Sequence, residues 1–214
     1  MKLRILTIEA SKIKDIFPKE IPFRNFAHHI KEQFLFFLPK NVEINKSSKI
    51  EIVFGPKGNE PLFDNVLGST NYFIEEFDFK AFYELSDIEK EYIVLEKIKE
   101  TLIKLSDKKV EIEILETTKK LYENKFNLEI EIKKLSKYLT NKKRKISIFR
   151  ILNKDIGEGW KYKIIDTNTK EIIEENWMTK IPNYLDKTDY FKKSIINEDK
   201  FIIVNNLEKV VFEI

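Results

Sequence analysis

The residues whose types and spacing come nearest to a known catalytic pattern are Asp64, Asp78 and Lys80. A restriction-type nuclease core sets one acid ahead of an Asp/Glu-x-Lys triplet on a strand, so that two carboxylates hold Mg²⁺ and the lysine orients the attacking water. Chance alone predicts about six such triplets from the acid and lysine content, and the sequence has five. A Mg²⁺-dependent nuclease of this type therefore stays an alternative and does not lead.

Other catalytic patterns are weaker still. The only histidines, His28 and His29, point about 100° apart on a helix, so they cannot chelate one metal from one helix face, and we predict a surface or boundary position for them. The run Gly55-Pro56-Lys57-Gly58 lacks the Gly-x-x-x-x-Gly-Lys-Ser/Thr pattern of a phosphate loop and predicts a turn.

Nucleophilic chemistry has no support either. The chain has no cysteine, which excludes thiolate catalysis and cysteine-type zinc sites, and it has no Gly-x-Ser-x-Gly elbow. Its 36 acids always offer carboxylate pairs of the glycosidase kind, and nothing singles one pair out. We predict no catalytic set, no metal site and no cofactor.

Charge is nearly balanced overall but unevenly placed. The net charge is +3, yet residues 41–100 carry −6 and residues 101–150 carry +7. Lysine far outnumbers arginine, whereas base readout and bidentate phosphate contacts favour arginine. Nucleic-acid binding is therefore not expected. The acidic and basic blocks form either solvated surfaces, as charge runs usually do, or two binding faces. The densest basic run, residues 142–145, predicts a solvated hairpin tip.

The first half of the chain predicts a strand, a helix, further strands and two long helices. Alternation predicts strands at residues 1–8 and 71–79 and a hairpin at 42–54, whereas a phenylalanine stripe predicts a helix over 23–38, with Pro22 near its start. Ser86 and Glu89 have the form of a capping box, which predicts the start of a helix, and a second helix follows from about 109 to 124.

The last third has the alternation of short strands joined by polar turns. Strands are predicted at about 128–132, 145–152, 160–165, 171–177, 201–204 and 210–214. Trp160, Tyr162, Trp177 and Tyr184 are expected to be strand packing residues more than interface anchors. Together the elements predict one α+β domain over residues 1–214, an antiparallel β-sheet with the N-terminal and central helices packed on it.

Neither a membrane span nor a cleaved secretion signal is expected. The longest stretch without a charged residue, 65–74, has ten residues, far fewer than the roughly 20 apolar residues of a membrane-spanning helix. Lys2, Arg4 and Glu9 leave no apolar run at the start of the chain. We expect a soluble, cytoplasmic protein.

Two runs carry a resemblance to a known group of proteins. FDFKAFYELSDIEK at residues 77–90, followed by LEKI at 95–98, and YENKF at 122–126, ahead of the strands, resemble small uncharacterised Bacteroidota proteins with two central helices followed by an antiparallel sheet. Such proteins are often suspected to be immunity proteins of antibacterial toxin systems. The resemblance covers about residues 70–180 and rests on helix starts, so it implies a fold and a class of function but no site residues.

The leading hypothesis is a non-enzymatic inhibitor that binds a protein partner, an immunity protein that blocks a bacterial toxin or effector. Segregated charge would speed association with such a partner, and an acidic face would mimic the substrate of a nuclease target. A phage-defence or counter-defence binding protein is a further alternative. The predicted partner-binding residues are the acids of one segment: Glu75, Glu76, Asp78, Glu84 and Asp87.

Overall fold

The computed structural model describes residues 1–11, 23–139, 142–182, 190–197 and 200–214, and the statements below refer to these residues. The chain divides into two compact units, Met1–Phe126 and Asn127–Ile214. The single domain predicted over residues 1–214 stays a prediction. Among the described residues, no helix is long and apolar enough to cross a membrane.

The first unit combines four strands with four helices. Its elements in chain order are β1 (Ile5–Ala10), α1 (Phe23–Phe37), β2 (Lys49–Phe54), β3 (Phe63–Val66), β4 (Ser69–Ile74), α2 (Phe79–Glu84), α3 (Asp87–Leu105) and α4 (Lys108–Glu123). The sheet order is β1-β2-β4-β3. Strands β1, β2 and β4 are parallel, and only β3 is antiparallel to its neighbour β4.

The core of this unit lies between one face of the sheet and the helices. Ile8, Ile50 and Ile52 project from β1 and β2 into the same apolar cluster as Ile30 of α1 and Leu95 of α3. Because side chains alternate along a strand, the intervening residues of β1 and β2 lie on the opposite face of the sheet. The predicted helices α1, α3 and α4 are confirmed, since each buries an apolar stripe against this core.

The hairpin predicted over residues 42–54 is wrong. Residues 49–54 form a strand, but it lies between β1 and β4 and pairs with both in parallel. Only an isolated bridge between Ile44 and Ser47 remains of the hairpin. Alternating apolar and polar residues predict a strand without fixing its partner, and helix α1 supplies the crossover that a parallel pair needs.

The strand predicted over residues 71–79 ends early. Strand β4 stops at Ile74, and Phe79 is the first residue of α2. The phenylalanines of this segment alternate as in a strand, but they belong to an aromatic cluster under a short helix. The short edge strand β3 was not predicted.

The described residues of the second unit form strands and their connections. It contains β5 (Leu128–Glu131), β6 (Lys137–Tyr138), β7 (Arg144–Asn153), β8 (Gly157–Asp166), β9 (Ile172–Trp177), β10 (Lys193–Asn197), β11 (Lys200–Val204) and β12 (Val210–Glu213). One antiparallel sheet has the order β5-β7-β8-β9 with β6 beside β7, and a second has the order β10-β11-β12. Trp160, Phe191 and Phe201 are among the side chains of their common core. The α+β fold class predicted from the sequence is confirmed.

Candidate functional site

The acidic residues predicted to bind a partner lie on one continuous stretch of the first unit. We call residues 75–89 the acidic segment; it carries six acidic side chains and one lysine. It leaves β4, forms α2, and enters the first turn of α3. Each of the five predicted residues is exposed to solvent: Glu75, Glu76, Asp78, Glu84 and Asp87.

Asp78 has a structural role that the sequence pattern did not indicate. It is the N-cap of α2, and its carboxylate accepts a hydrogen bond from the backbone N–H of Ala81 at 3.0 Å. An N-cap side chain satisfies one of the N–H groups that have no partner inside the helix. A substitution at Asp78 therefore changes the local fold as well as the surface charge.

Aromatic packing holds the acidic segment in place from below. The Phe77 ring lies 4.8 Å from the ring of Phe54 in β2 and 4.8 Å from that of Phe79. Phe23 of α1 packs edge-on against Phe79 at 5.5 Å and Phe82 at 5.5 Å. A six-residue helix is not stable alone, so this cluster and the cap are what fix the positions of the acids around α2.

The C-terminal end of the segment is fixed by the predicted capping box. The backbone N–H of Ser86 donates to Glu89 Oε2 at 2.9 Å, and the Ser86 hydroxyl donates to the same oxygen at 2.5 Å. These two hydrogen bonds, the hydroxyl first, lower the pKa of Glu89 below its usual range. Asp87 lies 3.8 Å from Lys90 in the first turn of α3.

A groove of about 360 Å³ runs between the end of β4 and helix α3 beside this segment. Glu75 and Glu76 line it on one side, and Lys97 and Lys104 of α3 line it on the other. Lys97 lies 2.8 Å from Glu100, and Lys104 stands 5.9 Å from the centre of the Tyr72 ring. The groove thus presents the carboxylates of Glu75 and Glu76 on its β4 wall, and two lysines together with the Glu100 carboxylate on its α3 wall.

The Asp-x-Lys triplet of the nuclease alternative does not lie on a strand, as such a core requires. Asp78 precedes a helix instead of lying on a strand, and Lys80 is an exposed residue of α2. Asp64 is exposed on the edge strand β3, opposite Asn71 of β4. Among the described residues, no group of three or more His, Asp or Glu side chains is placed to hold a metal ion.

The prediction of a surface or boundary position for the histidines is wrong, because both are buried. His29 Nε2 lies 2.6 Å from Glu91 Oε1, and this contact joins α1 to α3 inside the first unit. The sequence shows two adjacent histidines at the edge of an apolar stripe. The buried partner of His29 is a carboxylate 62 residues further along the chain.

A buried polar network in the second unit was also missed. Glu158 is fully buried and accepts hydrogen bonds from the Arg150 guanidinium at 3.1 and 2.9 Å and from the Trp160 ring N–H at 2.8 Å. Trp160 and Tyr162 are core residues, as predicted, whereas Trp177 is 37% exposed beneath Lys161. The network joins β7 to β8 within one sheet, which indicates a structural role.

The predicted basic hairpin tip is partly paired. Lys142, Lys143 and Arg144 are exposed, and Lys145 Nζ lies 2.6 Å from Glu131. Residues 140 and 141 of the predicted turn, together with Pro22 and Tyr184, lie outside the described residues.

The acidic segment is thus the predicted site whose residues are all exposed to solvent. Compared with known proteins, this chain matches no family model, no curated protein and no solved structure.

Proposed function

We propose that this chain is a non-enzymatic protein-binding inhibitor, an immunity protein that neutralises a partner toxin in the bacterial cytoplasm. The observation that carries the proposal is the acidic segment, whose predicted residues are all exposed and lie before, within and after a short helix that is fixed by aromatic packing. A rigid, like-charged surface attracts a basic partner over long range and holds its own shape when the partner docks. The basic partner surface would belong to the toxin, and the acidic segment would occlude it.

The groove beside the segment adds specificity to this proposal. Its glutamates can pair with a basic side chain of the toxin, and its lysines can pair with a neighbouring acid. Mixed charge of this kind selects one register of docking, since a shifted partner would bring like charges together.

The test compares two triple charge reversals in a pull-down from the native host's lysate, with mass spectrometry of what co-purifies. The first variant carries Glu75→Lys, Glu76→Lys and Glu84→Lys, and it leaves the Asp78 cap intact. The control variant carries the same charge change at exposed acids elsewhere: Glu116→Lys, Glu171→Lys and Glu208→Lys. Three lost ion pairs of about 0.5–1 kcal/mol each predict at least about tenfold weaker binding for the first variant only.

Growth then separates an immunity protein from other binders. Expression of the captured partner alone should arrest growth of a test strain, and co-expression of the wild-type chain should restore it. Rescue should fail, or need more protein, with the acidic-segment variant. Equal capture by both variants, or a partner whose expression is harmless, would overturn the proposal, and a partner encoded among phage-defence genes would point to the alternative binding role.

A further inference from the structure

A cavity of about 610 Å³ lies on the face of the first sheet that is turned away from the helices. Glu9, Glu51, Val53, Asn71 and Phe73 line it, and they alternate along the three parallel strands with residues of the core. The cavity lies toward the carboxyl ends of β1, β2 and β4. Ligands of open parallel sheets bind at this end, and the volume is that of a small-molecule site.

One wall of the cavity is fixed by backbone contacts. The N–H of Ser11 donates to Phe54 O at 2.7 Å, and the N–H of Gly55 donates to Ile74 O at 2.8 Å. The Ser11 hydroxyl donates to the carbonyl of Pro56 at 2.5 Å. The loop after β2 is thereby tied to both neighbouring strands, so this part of the cavity exists before any ligand enters.

In two ion pairs at the cavity, the carboxylate side chain is less exposed than the cation that pairs with it. Glu9 pairs with Arg24 at 3.4 Å, and the Glu9 side chain is 30% exposed whereas that of Arg24 is 65% exposed. Glu51 pairs with Lys49 at 2.8 Å, with 27% and 37% of the two side chains exposed. The carboxylates therefore lie deeper than the cations that neutralise them, and burial raises the pKa of Glu9 although Arg24 opposes that shift.

Lys57 and Glu60 also line the cavity and add one charge of each sign, and the apolar groups of the lining suit a cation that carries an apolar body. Phe73 presents an aromatic ring and Val53 an aliphatic surface, and a ring beside two carboxylates favours an organic cation. The hydroxyl of Thr7, opposite Glu51 in the β1–β2 register, is buried and has no hydrogen-bond partner among the described residues. It is an unused polar group on the same face of the sheet.

We propose that this cavity binds a small organic cation with a guanidinium or primary ammonium group, which replaces the Arg24 guanidinium at Glu9. Arg24 is the natural group to be displaced, because it is on the solvent side of the pair and its long side chain can turn outward. The same chemistry is offered by a free amine or guanidine and by an arginine side chain of a peptide. None of the residues that carry the proposal belongs to the acidic segment, so the proposal stands or falls independently of the proposed function.

The test uses n-butylguanidinium and its neutral isostere n-butylurea, titrated into the full chain and followed by calorimetry and by amide NMR shifts. We expect saturable binding of butylguanidinium with a Kd of about 1 mM, and at least about tenfold weaker binding of butylurea. Acetyl-arginine-N-methylamide, titrated in parallel, distinguishes the sources. Tighter binding than butylguanidinium assigns the site to a peptide arginine, and weaker binding assigns it to a free cation.

Three variants and a control test the assignment of residues. Glu9→Gln and Glu51→Gln should each weaken butylguanidinium binding at least about fivefold, because each removes one carboxylate charge. Arg24→Ala should strengthen binding at least about threefold, because it removes the competing internal cation, and this gain cannot come from a misfolded variant. Glu116→Gln, an exposed residue of α4, is the control and should leave binding unchanged. Equal binding of the two isosteres, no saturable binding, or weaker binding by Arg24→Ala would overturn the proposal.

Discussion

Asp78 combines two roles, and two substitutions of equal charge separate them. Its carboxylate caps α2 through the N–H of Ala81 at 3.0 Å, and its charge belongs to the acidic segment. Asp78→Asn removes the charge but keeps an oxygen that can accept the same hydrogen bond. Asp78→Ala removes both.

The expected stability changes follow from the size of the cap contribution. Replacing an N-cap Asp by Ala costs about 1 kcal/mol of unfolding free energy, whereas Asn caps a helix about as well as Asp does. We therefore expect Asp78→Ala to lose about 1 kcal/mol and Asp78→Asn to lose about 0.5 kcal/mol or less. In a chain of 214 residues, the larger loss corresponds to a fall in Tm of about 3 °C.

The assay is urea unfolding of the three proteins, followed by circular dichroism, with partner affinity measured on the same samples once a partner is in hand. Both variants lose the charge, so both should bind a basic partner more weakly than wild type, and Asp78→Ala should bind more weakly than Asp78→Asn because it also loses the cap that positions the acids. Equal stability of Asp78→Ala and wild type would refute the capping role. Equal losses in Asp78→Asn and Asp78→Ala would show that charge, and not hydrogen-bond acceptance, stabilises α2.

Two further predictions concern buried and titrating carboxylates. Glu158→Gln should lower the unfolding free energy by about 3 kcal/mol, because it removes the buried carboxylate that pairs with the Arg150 guanidinium. Urea unfolding measures this loss, and a variant as stable as wild type would contradict the prediction. The capping box should add stability above pH 4.5, the usual pKa of a glutamate, and lose it as pH falls through the lowered folded-state pKa of Glu89. Urea unfolding of the wild type and of Glu89→Gln is compared from pH 7 to pH 3. The unfolding free energy should fall less with pH in Glu89→Gln than in the wild type, and identical pH profiles would refute the assignment.

Local patterns were predictable wherever all the determining groups lie within a few residues of one another. The capping box needs only Ser86 and Glu89, three residues apart, and in the structure each side chain accepts from the other residue's backbone N–H. The phenylalanine stripe of α1 follows from helical periodicity alone. The short strands of the second unit follow from alternation between polar turns.

Features that depend on a distant partner were not predictable from those patterns. Strand β2 was expected in a hairpin, but its two neighbours lie about 45 and 20 residues away in the chain and are parallel to it. His29 was expected near the surface because Glu91, its buried partner, is on another helix. Asp78 was placed on a strand because the phenylalanines around it alternate, although they pack as a cluster below α2.

The sequence by itself determined the α+β class, the long helices and the charge of the acidic segment, because periodicity, capping and composition are local properties of a chain. The tertiary structure alone decided which of those acids are exposed, that Asp78 also caps a helix, and that Glu9 and Glu51 line the same cavity. The strand register is the physical reason why Glu9 and Glu51 line the same cavity. Glu9 and Glu51 are 42 residues apart in the sequence, and only the parallel pairing of β1 with β2 turns both to one face of the sheet.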